Sequence, residues 1–377
     1  MSNPFPIGVP VTGVDLADRQ AELATILKEI EAGSRLFLIS PRRYGKTSLL
    51  FEARNRLRER RIPAAYVDLY QATSLAHFLD IFARAVLEAA EGAVEQAARL
   101  ARDLFKGLQL TMTINNQGQP EWTLGFSQQQ PDLLKLRDQV LGLPQALADR
   151  RNHRVVVFID EFQEVRTLDG PVLEKAMRAS FQQQPRVSYV FAGSKESLMW
   201  EMVQSRRSPF YRSGPTLPLG PIPPADFKAY LSSRFAQTGM SVSNEHLDEV
   251  LSLAEEVPFN VQYLCHALWA VKDGKGKILE NDLRRAMEYV LATEGEYYTA
   301  LWDQLSLHQR RTVRALAKSG GASPFTAAFL RTYDLGPSAS VARSLRQLVK
   351  RDVVKKSPEG YRFADPFFRT WVLSRVP

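Results

Sequence analysis

LFLISPRRYGKTSLL, residues 36–50, is the stretch whose reading decides the fold. A run of apolar residues stops at Ser40. A loop of Pro41, Arg42, Arg43 and Tyr44 follows, and Gly45-Lys46-Thr47-Ser48 then leads into helix-forming leucines. That order is the grammar of a phosphate-binding loop between a buried strand and a helix. Backbone N–H groups at the start of the helix point at an anion, and the helix dipole favours negative charge there. In such a loop Lys46 reaches the β- and γ-phosphates of a nucleotide, and Thr47 offers its hydroxyl to Mg²⁺. The pattern G-x-x-x-x-G-K-[ST] begins with Gly where this chain has Ser40. Glycine there permits a positive φ or a close backbone approach, so Ser40 is expected to manage in an ordinary conformation.

The second half of the site is VVVFIDE, residues 155–161. Five β-branched or aromatic residues in a row read as a strand buried on both faces, as in a parallel sheet. Asp160 and Glu161 close that strand, where open α/β sheets bind their ligands. Asp160 is expected in the Mg²⁺ shell and Glu161 is expected to polarise the attacking water.

Composition narrows the class. A chain of 377 residues suggests two or three domains. Its one cysteine, Cys265, excludes an internal disulfide and a cysteine-based zinc site. The five histidines are scattered and none pairs at metal-ligand spacing. No apolar run approaches a membrane span, and MSNPFPIGVPVTG at the N-terminus lacks the basic and apolar regions of a signal peptide. A cytoplasmic enzyme without membrane contact is expected. Charge is uneven: residues 301–377 hold fourteen Lys/Arg against five Asp/Glu, a net of +9, so the preceding 300 residues net −1. A basic module on a near-neutral body suggests an anionic partner, nucleic acid first; a solvated basic face is the plainer alternative.

Along the chain, residues 1–13 are a Pro/Gly-rich arm and Asp15 to Ala32 reads as a capped amphipathic helix. Arg35–Ile39, Ala64–Asp68, Val155–Ile159 and Val187–Phe191 read as strands, and 108–126 as a β-hairpin around Asn115-Asn116-Gln117-Gly118. Residues 221–300 are helical in pattern. After them, Leu307–Lys318, Ser323–Thr332 and a helix Ala339–Lys350 capped by Ser338 precede a small hairpin, Val353–Lys356 with Tyr361–Phe363. Helix, helix, helix, hairpin is the order of a winged helix. Arg343, Arg346 and Lys350 gather on one face of its third helix, which is suited to entering a DNA groove. Winged helices also bind proteins. The expected architecture is α/β: a P-loop core over 1–220 with parallel strands and helices on both faces, a helical lid over 221–300, and a winged helix over 301–377.

The residues resemble the archaeal-type ATPases, a prokaryotic branch of the STAND class of P-loop NTPases with an AAA+-like core. The resemblance rests on Asp18-Arg19 with Glu22-Leu23, on Pro41 to Ser48, and on Phe158 to Glu164. It extends through Ala192-Gly193-Ser194, Ser208-Pro209-Phe210-Tyr211-Arg212 and Asp365-Pro366-Phe367-Phe368-Arg369 with Trp371, and so covers nearly the whole chain. It implies ATP as the nucleotide, Mg²⁺ as cofactor and hydrolysis to ADP and phosphate. It implies that Ser194 occupies the sensor position, bonding the γ-phosphate or the attacking water, unless it is only a strand-ending turn residue. One of Arg206, Arg207 and Arg212 is a candidate arginine finger, although a solvated loop is the plainer reading. Pro258 matches a lid proline that touches the nucleotide, or simply opens a helix. Asp18-Arg19 either approaches the base or caps and salt-bridges a helix. Tyr44 and Phe162 read as packing residues, though Tyr44 belongs to the loop. A switch driven by the γ-phosphate is the expected mode of action, with double-stranded DNA, a protein partner or a nucleotide-dependent oligomer at its output. The competing class is a nucleotide-bound DNA-binding or scaffold protein with negligible turnover; Lys46, Thr47, Asp160 and Glu161 argue against it and Ser40 slightly for it. A fused nuclease finds no support, since too little chain follows Trp371 to hold one.

Overall fold

The protein, described here from a computed structural model, is defined for residues 2–89, 108–114, 120–126, 133–272, 275–321, 323–357 and 360–375. The chain divides into two compact units, Pro10–Pro221 and Ile222–Pro377, the latter together with Met1–Val9.

The first unit contains β1 (Arg35–Ile39), β2 (Ala64–Asp68), β3 (Leu108–Ile114), β4 (Pro120–Phe126), β5 (Val155–Asp160), β6 (Val187–Gly193) and β7 (Thr216–Pro218). β3 and β4 pair antiparallel from Leu108↔Phe126 to Ile114↔Pro120; the turn at 115–118 lies outside the described residues. The other five strands form one parallel sheet in the order β2-β5-β6-β1-β7. Alternation sorts their side chains into two layers. Val155, Val157, Ile159, Phe37 and Phe191 pack with helices Leu75–Ala89, Leu133–Arg151, Gly170–Gln182 and Glu196–Gln204. Val156, Phe158, Leu36, Leu38 and Val190 pack with helices Gln20–Glu31 and Lys46–Glu59. Both faces are thus covered, which is why every residue of β5 and β6 is buried and why β5 reads as an unbroken apolar run up to Asp160; in β6 the Ser188 hydroxyl donates to the Ile30 carbonyl. The registers Asp68↔Asp160, Ile159↔Phe191 and Ile39↔Gly193 bring the C-terminal ends of four strands level.

Two local readings change. The helix expected from Asp15 begins at Gln20, because a 3-10 turn occupies Gly13–Asp15 and Arg19 stands outside helical geometry at φ −152°. Ser338 does not cap the helix after it; it is the first residue of helix Ser338–Lys350, with Pro337 at the cap position. β7 carried no readable signal, being three residues on the sheet edge and ending in Pro218, a position where a missing N–H is tolerated.

In the second unit, helices Pro224–Ala236, Asn244–Leu253, Pro258–Val271, Glu280–Thr293 and Gly295–Asp303 lead to Leu307–Ser319, Ala327–Thr332 and Ser338–Lys350. The hairpin Val354–Ser357/Gly360–Phe363 and helix Pro366–Arg375 complete it. A capping box of Ser306 and Gln309 starts helix Leu307–Ser319. Val341, Leu345 and Leu348 are buried, while Arg343, Arg346 and Lys350 on the same helix are exposed. The N-terminal arm is shared. Phe5 is buried against Phe235, and Asn3 donates to the His266 carbonyl (3.0 Å) in the second unit. Val11 N–H donates to Ser48 Oγ (3.0 Å) and Gly13 N–H to Glu52 Oε2 (2.8 Å) in the first. Among the described residues no helix is long and apolar enough to cross a membrane.

Candidate active site

The site is assembled at the C-terminal ends of β1, β5 and β6. The loop after β1 reaches positive φ at Arg43 (71°) and at Gly45 (83°), where the helix Lys46–Glu59 begins. Ser40 is not among the left-handed residues. It is fully buried, its N–H donates to the Gly193 carbonyl (3.2 Å) and its hydroxyl to the Pro41 carbonyl (2.9 Å). The unusual backbone of this loop is therefore met at positions 43 and 45, which explains how serine fits at position 40.

Lys46, buried at 6% exposure, donates to Asp160 Oδ1 and to Glu161 Oε1 (2.9 Å). Thr47 Oγ1 donates to Asp160 Oδ2 (3.0 Å), and so does the Tyr66 hydroxyl from β2 (2.9 Å). Ser194, just beyond β6, donates to Glu161 Oε2 (2.7 Å), as does Gln163 Nε2 (2.5 Å). Lys46, Thr47, Asp160, Glu161 and Ser194 are thus drawn into one hydrogen-bonded cluster. Burial pushes the Glu161 carboxyl upward, but the Lys46 ammonium and the hydrogen bonds from Gln163, Lys46 and Ser194 outweigh it and hold it below its ordinary value. Burial and then the Asp160 charge push the Tyr66 phenol well up, so it remains a donor.

A family model described as an ATPase domain predominantly from Archaea matches residues 16–263. The chain belongs to this ATPase family. A winged helix domain model matches residues 296–374. No curated protein matches the sequence. Among solved structures, the Walker-type ATPase of Pyrococcus abyssi superposes with a TM-score of 0.66 at 18% identity, covering 98% of this chain and 99% of that one. The ORC2 protein of Aeropyrum pernix, in its ADPNP–ADP complexes, gives 0.59 at 16% identity, covering 98% and 96%. At these identities the likeness is one of fold. This protein is accordingly a nucleotide-binding P-loop ATPase with a winged helix domain.

The remaining candidates of the ATPase fall into separate places. Arg42 and Arg43 are exposed on the loop, whereas Tyr44 is partly buried against the core. Arg19 is almost fully buried and ties three elements: it bonds Glu22 (2.7 Å), the Tyr44 carbonyl (3.3 Å) and the Gly220 carbonyl (2.7 Å). These bonds tie the C-terminal end of the loop to the first helix and to the segment after β7. Ser48 receives the Val11 N–H. Arg206 and Arg207 are exposed, and Arg212 lies over the Tyr211 ring at 5.4 Å; the loop carrying them is anchored by buried Phe210, edge-on to Phe162. None of the hydrogen bonds described for the Lys46 cluster comes from these three arginines. Pro258 opens helix Pro258–Val271 of the second unit at its first turn, and Arg343, Arg346 and Lys350 lie in the winged helix. Tyr66 and Gln163 had no assigned role in the sequence reading. Tyr66 carries no local signal beyond a strand position, and Gln163 follows the acidic pair by two residues, the only available hint.

Proposed function

We propose that this ATPase is a Mg²⁺-dependent molecular switch of the STAND type whose basic winged helix binds double-stranded DNA. The observation that carries the hydrolytic half is the single cluster joining Lys46 and Thr47 to Asp160, Glu161 and Ser194. Lys46 holds the β/γ-phosphates as a compact charge, with the N–H groups of residues 42–48, in the loop that Pro41 opens, around them. Glu161, kept ionised, orients and deprotonates the attacking water; Ser194 senses the γ-phosphate or that water. The donor set suits Mg²⁺: the Thr47 hydroxyl and the Asp160 carboxylate are hard oxygens in contact, and one ammonium beside two carboxylates leaves a negative excess. Mg²⁺ bound by Thr47 and Asp160 would neutralise phosphate oxygens. Loss of the γ-phosphate then releases the lid, entered by Pro258, and with it the winged helix. Exposed Arg206, Arg207 and Arg212 suit a finger supplied to a second copy in a nucleotide-dependent oligomer, in the cytoplasm.

The DNA half is supported by exposure. Arg343, Arg346 and Lys350 are joined by exposed Lys355, Lys356 and Arg362 on the hairpin, within a module of net +9. The test is phosphate release by the full chain with Mg²⁺, with chelator, and with and without duplex DNA. Hydrolysis that needs Mg²⁺ and responds to DNA supports the reading. A chain that hydrolyses ATP but shows no DNA shift at low ionic strength directs the winged helix to a protein partner instead.

A further inference from the structure

Glu161 stands in the left-handed region, φ 50° and ψ 43°, a conformation that is strained for a non-glycine residue and persists only where its surroundings impose it. Three side chains donate to its carboxylate: Lys46, Ser194 and Gln163. Two of them have other calls on them during catalysis. Lys46 is the cation a phosphate draws to itself, and in the reading above the Ser194 hydroxyl senses the γ-phosphate or the attacking water. Gln163 alone has no phosphate to serve. It is 2% exposed, and its amide is turned toward acid: Nε2 reaches Glu161 Oε2 and, at 3.4 Å, Glu164 Oε1. The opposite rotamer would set its oxygen against two carboxylates, so the orientation is dictated by chemistry.

That orientation has a cost and a fitted space. Gln163 Oε1 is buried with no hydrogen-bond partner, which counts against the fold. An apolar residue would pack there without the penalty, so the amide is retained for its N–H. The space comes from Gly193: a Cβ at that position would fall 2.3 Å from Gln163 Oε1 and 2.5 Å from Met199 Sδ. The end of β6 thus supplies both the room for Gln163 and, one residue on, the Ser194 donor to the same Glu161 oxygen.

We propose that Gln163 is the positioning residue that holds the Glu161 carboxylate in its water-orienting geometry while Lys46 is engaged by phosphate. The inference rests on the reading of Glu161 as the catalytic carboxylate. It separates binding from chemistry in a defined way. Removing the Gln163 N–H leaves a half-buried carboxylate with one donor fewer, so its orientation is looser. A glutamate at 163 has the same shape and adds a like charge.

The experiment is steady-state phosphate release by the full chain, with ATP affinity measured by calorimetry, for Gln163→Ala, Gln163→Glu, Gly193→Ala and Glu161→Gln. Gln163→Ala is expected to lower kcat by up to about 10²-fold, the scale of a small misplacement of a reacting group, with ATP affinity within about twofold of native. Gln163→Glu, which sets an acceptor-only carboxylate where the donor stood, should lower kcat at least as far, again with ATP affinity near native. Gly193→Ala should reproduce the split between kcat and affinity seen in Gln163→Ala. If Gln163→Ala does not fold, Gln163→Glu keeps the packing and gives the same reading. Native kcat in the Gln163 variants, with Glu161→Gln inactive, would overturn the positioning role alone. A native rate in Glu161→Gln would overturn the catalytic reading beneath it.

Discussion

At the phosphate loop a single ammonium, Lys46, is buried and faces two carboxylates; on helix Ser338–Lys350 three cations, Arg343, Arg346 and Lys350, stand exposed on the face opposite Val341, Leu345 and Leu348. The first arrangement is expensive to desolvate and tolerates only one geometry. It is therefore specific, short in range and little affected by salt. The second costs nothing to solvate, acts over a Debye length and is screened by salt. Burial makes a cation into chemistry; exposure makes it into attraction. The same residue types in one chain thus serve a reaction at one place and a surface at the other.

The comparison breaks most sharply at Lys46. Lys46→Ala should abolish ATP binding in calorimetry. It also leaves Asp160 and Glu161 facing each other without their cation, so thermal unfolding should show a loss of about 3–5 kcal/mol, the range for breaking a buried pair; circular dichroism should still report the native fold. Glu161→Gln should retain ATP and slow phosphate release by about 10²–10⁴-fold. On the exposed side, Arg343→Ala with Arg346→Ala in the full chain should weaken duplex DNA binding and flatten the log–log salt slope by about two units, without touching ATP affinity. A salt-independent loss would mean that these arginines act by burial after all. The smallest effect belongs to Ser40→Gly. Serine already sits in ordinary backbone there, so glycine brings no needed freedom; ATP affinity should stay native and stability fall by about 0.5–1 kcal/mol from chain entropy.

Acidification tests the buried side as a whole. Glu161 is held below its ordinary value in the fold, so its contribution to stability is present above the unfolded-state value and is lost as pH falls through the folded one. Melting curves of Glu161→Gln should accordingly converge with those of the native protein only in acid.

The loop at residues 36–50 and the strand ending in Asp160-Glu161 were legible because charge set directly against an apolar run is a rare arrangement with few physical meanings. The winged helix was legible from its order of elements and from the period of Val341, Leu345 and Leu348. What stayed hidden depends on register rather than on neighbours in sequence. Tyr66 is one more residue in a buried strand until Asp68↔Asp160 brings β2 alongside β5. Arg19 offered two local roles, and its bond to Gly220 is 201 residues away in the chain. Gln163 gained its meaning from Gly193, a contact no periodicity encodes. Ser338 had the right chemistry for a cap but stands one position too far along, after Pro337.

The order of strands also sets a timetable. β1 ends at Ile39, yet its partners begin at Val187 and Thr216. At about 5–20 residues per second, the chain between β1 and β6 takes on the order of ten seconds or more to synthesise. Throughout that interval Leu36-Phe37-Leu38-Ile39 is an apolar strand with both edges open, and the closure entropy of a long loop stands against its pairing. The segment that decides the fold is among the first to leave the ribosome, but the site it builds must wait for β6. For a nascent chain, ATP competence should arrive abruptly once Gly193 has emerged, and until then this stretch is what a chaperone would hold.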